Sequence, residues 1–232
     1  MKAAREFADA ALNTKGSSTL KSVSIELFGS LAFTGMAHGT DKALLMGLSG
    51  HLPDDIDPDF AREETHRIKS GKELTILGSL PISFDPETDI ALNLSDSPDY
   101  HSNAMRFRAV GSGGENLLEK TYYSVGGGAI VDHENISDPQ PHRDAVHQYS
   151  TAAELLAICE RQEKEIWEVV LENERAWSEV SVSEKISGLW SAMDSSIERG
   201  LHTRGVLSGG LDVERRAPSL FQSLSAIGGP SP

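Results

Sequence analysis

The chain has 232 residues, with 35 Asp plus Glu against 21 Lys plus Arg, a formal net charge of −14 and one Cys. This length allows one large domain or a domain with an appendage, because a chain of this size can bury about 70% of its unfolded surface. A single thiol excludes an internal disulfide and cannot by itself supply a structural zinc site or hold an iron–sulfur cluster, and the acidity argues against nucleic-acid or anionic-membrane partners.

The first segment of the chain predicts a short amphipathic helix. Apolar residues recur at helical spacing over residues 2–13, and Gly16 with the polar run after it ends the helix. This segment lacks the apolar region of a secretory signal, and no stretch approaches the roughly 20 apolar residues that span a bilayer. We therefore expect a soluble, cytoplasmic protein.

A strand and two helices are expected next. Apolar and polar residues alternate over residues 20–28, which is typical of a strand with one solvated face. Thr40 or Asp41 can cap the following helix, which has Gly50 past its end. Another helix is expected over residues 59–69.

Four further extended segments complete the predicted sheet. They are residues 74–84, 89–94, 104–110 and 120–131. Turn-rich pieces separate them, as hairpin connections should. Runs of strands joined by short loops predict an α+β domain over residues 1–133, with a mixed or antiparallel sheet and helices packed on one face.

The rest of the chain is predicted to be helical or irregular. Residues 134–150 are polar, contain two Pro and have no apolar period, so we expect a linker. Apolar stripes over residues 151–177 and 182–201 predict a helical hairpin connector that packs on another element. Residues 202–232 are rich in Gly, Ser and Pro and are expected to form a flexible tail.

Three clusters are candidate parts of a substrate site. The first runs through His38, Gly39, Thr40, Asp41 and Lys42, between a strand and a helix N-terminus. Backbone N–H groups at a helix start can bind a carboxylate, with the lysine nearby. The alternative is that this cluster only caps the helix.

The other two clusters lie beside predicted strands. Asn103 can hydrogen-bond a substrate amine or carboxylate and His101 can titrate near neutral pH, although an Asn before a strand is often a turn residue. Ser124 opens the third cluster, which has three consecutive glycines in a strand-like segment. They indicate close backbone approach to a ligand or another domain, or else a bulge or tight bend. The three glycines are Gly126, Gly127 and Gly128.

Other kinds of site have weak support. No Walker pattern is present, and no Gly-x-Gly-x-x-Gly leads from a strand into a helix. Cys159 falls on an apolar helical stripe and is predicted to be a small core residue. No residue is assigned as a metal ligand, and the catalytic base is unassigned.

Motifs in a fixed order carry a resemblance across nearly the whole chain. They are LFGSLAFTGMAHGTDKALLMGLSG, HSNAMRF, TYYSVGGGAIVD, ELLAICERQEKEIWEVVLENE and ERRAPSLF. In order and type they resemble the iron–sulfur-dependent L-serine dehydratases (L-serine ammonia-lyases). The likeness is to the β domain of the single-chain form, with the helices that lead to its catalytic α half.

The resemblance implies conversion of L-serine to pyruvate and ammonia without pyridoxal phosphate. In that family a [4Fe-4S] cluster acts as Lewis acid on the serine hydroxyl while a protein base removes the α-proton. Loss of water gives aminoacrylate, which hydrolyses. Carried over to this chain, residues 38–42, 101–103 and 124–128 would form the β-domain wall of the active-site cleft.

The chain departs from the family pattern in three respects. A Ser-rich, His-containing loop would lie upstream of Met1, and the family's His-Pro-Asn is His101-Ser102-Asn103 here, which predicts a less rigid loop. The cluster-binding cysteines belong to the α half, which is expected to begin after the region of Arg215. We therefore expect a fragment, a split-gene subunit or a truncated gene product that works with an α half in cis or in trans.

Two other hypotheses stay open. One is a non-catalytic module that binds serine or regulates, and the other is an inactive remnant whose hairpin exposes Trp177 and Trp190. The predicted partners are L-serine and the α half. Homo-oligomerisation is left open, and neither nucleic acid nor membrane is expected to bind.

Overall fold

The computed structural model describes residues 1–96, 98–136, 145–178, 180–207 and 210–226. The chain divides into two compact units. The first contains Met1–Asp138 and Ser208–Asp212, and the second contains Pro139–Leu207 and Val213–Pro232.

The first unit mixes helices and strands. Its helices are α1 (Lys2–Asn13), α2 (Ser30–Phe33), α3 (Thr40–Leu48), α4 (Pro58–Gly71) and α5 (Pro86–Asp89). Its strands are β1 (Leu20–Leu27), β2 (Glu73–Ile76), β3 (Leu80–Ser83), β4 (Ile90–Leu92), β5 (Ala104–Gly111), β6 (Asn116–Gly126) and β7 (Ala129–Asp132). Single 3-10 turns lie at Ser17–Thr19 and His133–Asn135.

Five of these strands form one sheet, in the order β4-β1-β5-β6-β7. Every neighbouring pair is antiparallel except β1 and β4, which run parallel. β2 and β3 form a separate hairpin. The predicted α+β class with a mixed sheet is confirmed.

The main core lies between one face of the sheet and the helices. Phe7 of α1 stacks on Phe107 of β5 with ring centroids 5.1 Å apart, and Phe107 meets the ring of Tyr122 at 5.8 Å. All three side chains are buried. Because successive strand residues point to opposite faces, the polar residues between these apolar ones lie on the other face of the sheet.

The expected strand over residues 74–84 is in fact the two strands β2 and β3. Leu77 and Gly78 between them have φ of 45° and 65°, and the backbone N–H of Leu77 donates to the Leu48 carbonyl at 2.9 Å. This bond fastens the turn to the end of α3. The sequence pattern did not show the turn because Leu77 is apolar and seldom adopts a positive φ.

The second unit contains four described helices: α6 (Ala152–Gln162), α7 (Ile166–Trp177), α8 (Val182–His202) and α9 (Ala217–Ala226). The helix expected over residues 151–177 is interrupted at Glu163, which has φ of 55° and ends α6.

α9 contradicts the expectation that residues 202–232 lack regular structure; its Pro218 lies in the first turn, where proline is well tolerated. Among the described residues, no helix is long and apolar enough to cross a membrane.

Part of the expected linker is ordered against the helices of the second unit. The backbone N–H of His147 donates to Asn173 Oδ1 at 2.8 Å, and Asn173 Nδ2 donates to the His147 carbonyl at 3.0 Å. His147 Nε2 also lies 2.5 Å from Glu172 Oε2. Hydrogen bonds from Lys164 and His147 lower the pKa of Glu172. Residues 137–144 of the expected linker lie outside the described residues.

Candidate functional site

A cleft of about 450 Å³ opens in the first unit where α1, the start of α3 and the β6–β7 turn meet. Four of the predicted site residues line it: Thr40, Ser124, Gly127 and Gly128. Apolar side chains, including those of Leu31 and Met105, form other parts of its wall. The cleft therefore offers hydroxyl and backbone polar groups, together with Lys2 and Asp54, on a mainly apolar background, as small-molecule sites commonly do.

The glycine cluster forms the turn at the edge of this cleft. Gly127 and Gly128 are the two central residues of a hairpin turn, with φ of 59° and 75°. Such two-residue turns match the twist of the flanking strands and favour glycine. The register shifts between Ser124 and Gly126, so the cluster contains an irregularity as well as a tight turn. The turn still brings the backbone of two glycines to the cleft.

Asn103 joins the predicted site segments to one another. Its Oδ1 accepts hydrogen bonds from the backbone N–H of Ser30 at 2.9 Å and from Ser30 Oγ at 2.7 Å. Its carbonyl accepts from the backbone N–H of Ser124 at 2.9 Å. The side-chain oxygen of Asn103 is therefore used inside the protein, and neither Asn103 nor His101 lines the cleft itself.

Gly29 allows this junction to close. Its backbone has φ of 56° and ψ of −137°, a conformation that favours glycine. A Cβ at this position would lie 2.8 Å from the carbonyl carbon of Ser102 and 2.9 Å from Asn103 Oδ1. Only a residue without a side chain fits between α2 and the 101–103 loop.

His101 is held in one orientation by the same loop. The backbone N–H of Asn103 donates to His101 Nδ1 at 3.1 Å. Because Nδ1 accepts here, a neutral imidazole carries its proton on Nε2. His101 is therefore suited to donate a hydrogen bond to an anionic group through Nε2.

Hydrogen bonds hold the 101–103 loop, in which Ser102 stands at the position of the proline in the His-Pro-Asn pattern. Among the described residues, the backbone N–H of Ser102 donates no backbone hydrogen bond, so proline would remove none. We expect Ser102→Pro to raise the free energy of unfolding by about 0.5 kcal/mol, because proline restricts the unfolded chain. Urea denaturation measures this change.

Ser112→Pro is the matched control, because the backbone N–H of Ser112 donates to the Thr19 carbonyl at 2.8 Å and proline would abolish that bond. The control should lose stability. A loss of stability in Ser102→Pro as well would show that the loop backbone is not compatible with proline.

The cluster at residues 38–42 divides between the cleft and the core. Thr40 reaches the cleft, whereas His38, Gly39 and Lys42 do not line it. Gly39, with φ of 74°, is the N-cap of α3, so neither Thr40 nor Asp41 caps the helix. Asp41 is only 6% exposed and its Oδ2 lies 2.6 Å from Lys69 Nζ of α4. This places Asp41 in the contact between two helices.

A structural role for Asp41 can be tested through its partner. We expect Asp41→Ala and Lys69→Ala each to destabilise the chain by about 1 kcal/mol, since Lys69 is partly exposed and solvent screens the pair. The double variant should cost little more than either single variant in urea denaturation. Additive losses would show that the two side chains do not act as a pair.

A second cavity, of about 630 Å³, lies along the sheet face opposite the helices and was not anticipated. Tyr123 Oη lies 2.7 Å from His133 Nδ1, and Arg106 Nη1 lies 2.9 Å from Glu26 Oε2. Burial raises the pKa of Tyr123, and the nearby charge of Asp99 raises it further. Polar residues such as Arg106 and Thr121 alternate with apolar ones along β5 and β6, and this alternation could have predicted a polar surface here.

The described residues do not fit an iron–sulfur cluster. Such clusters are held mainly by several cysteine thiolates, and this chain has one Cys. Cys159 is 9% exposed and packs with Ile158 and Val169 in the small core of α6 and α7. In the part of the chain that the structure describes, no group of three or more His, Cys, Asp or Glu residues could hold a metal ion.

Fold and site together define a class: an α+β domain with a small, mainly apolar cleft beside a glycine turn, followed in the chain by a helical unit. The family model for the serine dehydratase beta chain matches residues 1–135. The chain belongs to this family.

Comparison with curated proteins gives the same family. The chain is 38% identical to the L-serine dehydratase of Streptomyces coelicolor over 99% of this chain and 51% of the relative. It is 33% identical to that of Haemophilus influenzae, over 97% and 50%, and 36% identical to L-serine dehydratase TdcG of Escherichia coli, over 97% and 50%. The chain thus spans about half the length of these relatives.

Proposed function

We propose that this chain is part of an L-serine dehydratase that converts L-serine to pyruvate and ammonia, and that it supplies the β-domain wall of the active site. The observation that carries the proposal is the cleft lined by Thr40, Ser124 and the glycine turn, in a chain of this family. The hydrogen bonds of Asn103 support the proposal, because they join the 101–103 loop to α2 through Ser30 and to β6 through Ser124. Both of these elements border the cleft.

The side chains of this wall suit a small amino acid. Thr40 and Ser124 offer hydroxyl groups within the cleft, whereas His101 and Asn103 do not line it and belong to a loop whose Asn103 carbonyl is bonded to Ser124 at the cleft. In the proposed complex, the Nε2–H of His101 and the Nδ2 of Asn103 donate from this neighbouring loop to the serine carboxylate. These groups bind and orient the substrate. None of them is assigned as the base that removes the α-proton.

The proposed cofactor is a [4Fe-4S] cluster whose ligands lie outside this chain. When bound, it would supply Lewis acidity toward the serine hydroxyl. The cysteine ligands are assigned to an α half, in cis or in trans, because the one Cys of this chain is buried in a helix core.

Co-expression with an α half tests the proposal. The 232-residue chain is produced together with the half of the Streptomyces coelicolor relative that it does not match, and the mixture is reconstituted anaerobically with iron and sulfide. Pyruvate release from L-serine is expected from the pair and from neither polypeptide alone. A pair that forms a cluster but makes no pyruvate would contradict the function, and pyruvate from this chain alone would contradict the assignment of the cluster ligands.

A second candidate function is a serine-binding module without catalysis. It is favoured by one observation, that the cleft is formed entirely within the first unit. Calorimetric titration of the chain alone with L-serine, with D-serine as the control, tests binding. Binding of L-serine by a chain that stays inactive beside an α half would favour this second function.

A further inference from the structure

The second unit carries an apolar face that is exposed in this chain. Along α8, five large apolar side chains recur at helical spacing and are 52% to 66% exposed: Ile186, Leu189, Trp190, Met193 and Ile197. On α7, Ile166 and Trp167 are also exposed, and with Val170 and Ile186 they line a groove of about 760 Å³. We call this surface the α7–α8 apolar face.

The face differs from the one that the sequence suggested. Trp177 lines a separate cavity with His147 and Asn173, on the side where the ordered linker segment packs. The tryptophan that joins Trp190 on the exposed surface is therefore Trp167. Trp167 and Trp177 both belong to α7, so their positions follow from that helix beginning anew at Ile166 after the break at Glu163.

The chemistry of the face indicates a protein partner. Burying a large apolar side chain contributes about 1.5–3 kcal/mol, and soluble monomers rarely leave a continuous apolar surface of this kind uncovered. Glu165 and Glu174 lie at the groove, and the chain as a whole carries a charge of −14. The complementary surface is therefore an apolar ridge flanked by Lys or Arg.

The relatives of this chain point to one partner. The family model ends at residue 135, before the helices of the second unit, yet the alignments with full-length relatives run over 97% to 99% of this chain. The helical unit is thus a shared feature of proteins that contain a further half of similar length. That half is the polypeptide that accompanies these helices in every relative named above.

We propose that the α7–α8 apolar face docks the half of an L-serine dehydratase that this chain does not match. The inference rests on the proposed function for the identity of the partner. It goes beyond that function in assigning the contact to the groove that Trp167 and Ile186 line and to the exposed apolar stripe of α8 that continues from Ile186 through Trp190 and Met193.

A charge placed on the face tests the proposal. The full chain is co-expressed with the unmatched half of the Streptomyces coelicolor relative, and co-purification and the dissociation constant are measured. Trp190→Glu and Met193→Glu should each weaken binding at least tenfold. Ser195→Glu is the matched control, because Ser195 is exposed on the opposite side of α8. It should bind as the unchanged chain does, and circular dichroism should show equal helix content in all variants.

Three results would overturn the docking proposal. They are failure of the unchanged chain to bind the half, unchanged binding by Trp190→Glu, and self-association of the unchanged chain that Trp190→Glu abolishes. Pyruvate release is measured on the same complexes. A complex that forms through the face but makes no pyruvate would refute the proposed function alone, and a pyruvate-forming complex that is insensitive to Trp190→Glu would refute the docking site alone.

Discussion

Replacing Gly29 by Ala should lower the free energy of unfolding of the first unit by about 3 kcal/mol, because the substitution combines backbone strain with steric overlap. The new methyl group would press on the backbone carbonyl of Ser102 and on Asn103 Oδ1, which is held in place by two hydrogen bonds from Ser30. Urea denaturation followed by circular dichroism measures the loss. The 101–103 loop should move away from α2 as a consequence.

Gly39→Ala is the control that separates backbone strain from steric overlap. Gly39 also has a positive φ, of 74°, but no atom lies within 4 Å of the position its Cβ would take. It should therefore cost only about 1 kcal/mol, from backbone strain alone. Equal losses at the two positions would show that the contact between Gly29 and the loop contributes nothing to stability.

Replacing Asn103 by Ala should cost about 2 kcal/mol, because it removes the acceptor of two hydrogen bonds and leaves the backbone N–H of Ser30 without its side-chain partner. The same substitution should abolish the binding of L-serine that we propose, since it also removes Nδ2 and releases the loop. Urea denaturation and calorimetric titration measure the two effects.

Asn103→Asp distinguishes the structural from the binding role. A carboxylate can still accept both hydrogen bonds from Ser30, so most of the stability should return. It has no N–H to donate and carries a negative charge, so binding of L-serine should stay weak. Full recovery of binding in Asn103→Asp would show that Nδ2 does not contact the ligand.

The sequence allowed the main elements of the first unit to be predicted because their patterns are local. The alternation over residues 20–28 and the amphipathic period over residues 2–13 both correspond to elements of the structure. The order of strands in the sheet was not accessible, since pairing such as that of β1 with β5 joins residues that are far apart in the chain. The breaks at Leu77 and Glu163 were missed because both depend on a positive φ in residues that seldom adopt it.

Four of the eleven residues predicted for the site line the cleft, and local sequence patterns did not show how the segments come together. Glycine and polar clusters marked the segments that lie near the cleft, because such residues stand out within strands. The hydrogen bonds between Asn103 and Ser30 span 73 positions and could not be inferred from spacing. Asp41 was predicted as a site residue because it lies in the cluster at residues 38–42. Its ion pair with Lys69 could not be inferred from the sequence, since Lys69 lies on a separate helix.

The cleft draws its walls from α1, α3, β5 and the β6–β7 turn, which share one hydrophobic core. A ligand that occupies it therefore binds only the folded first unit. By mass action, a concentration of one hundred times the dissociation constant would stabilise that unit by about 2.7 kcal/mol. A saturating ligand should thus protect residues far from the cleft, such as the core of α1, from hydrogen exchange and proteolysis. The resistance of this unit to degradation would then follow the supply of the molecule that it binds.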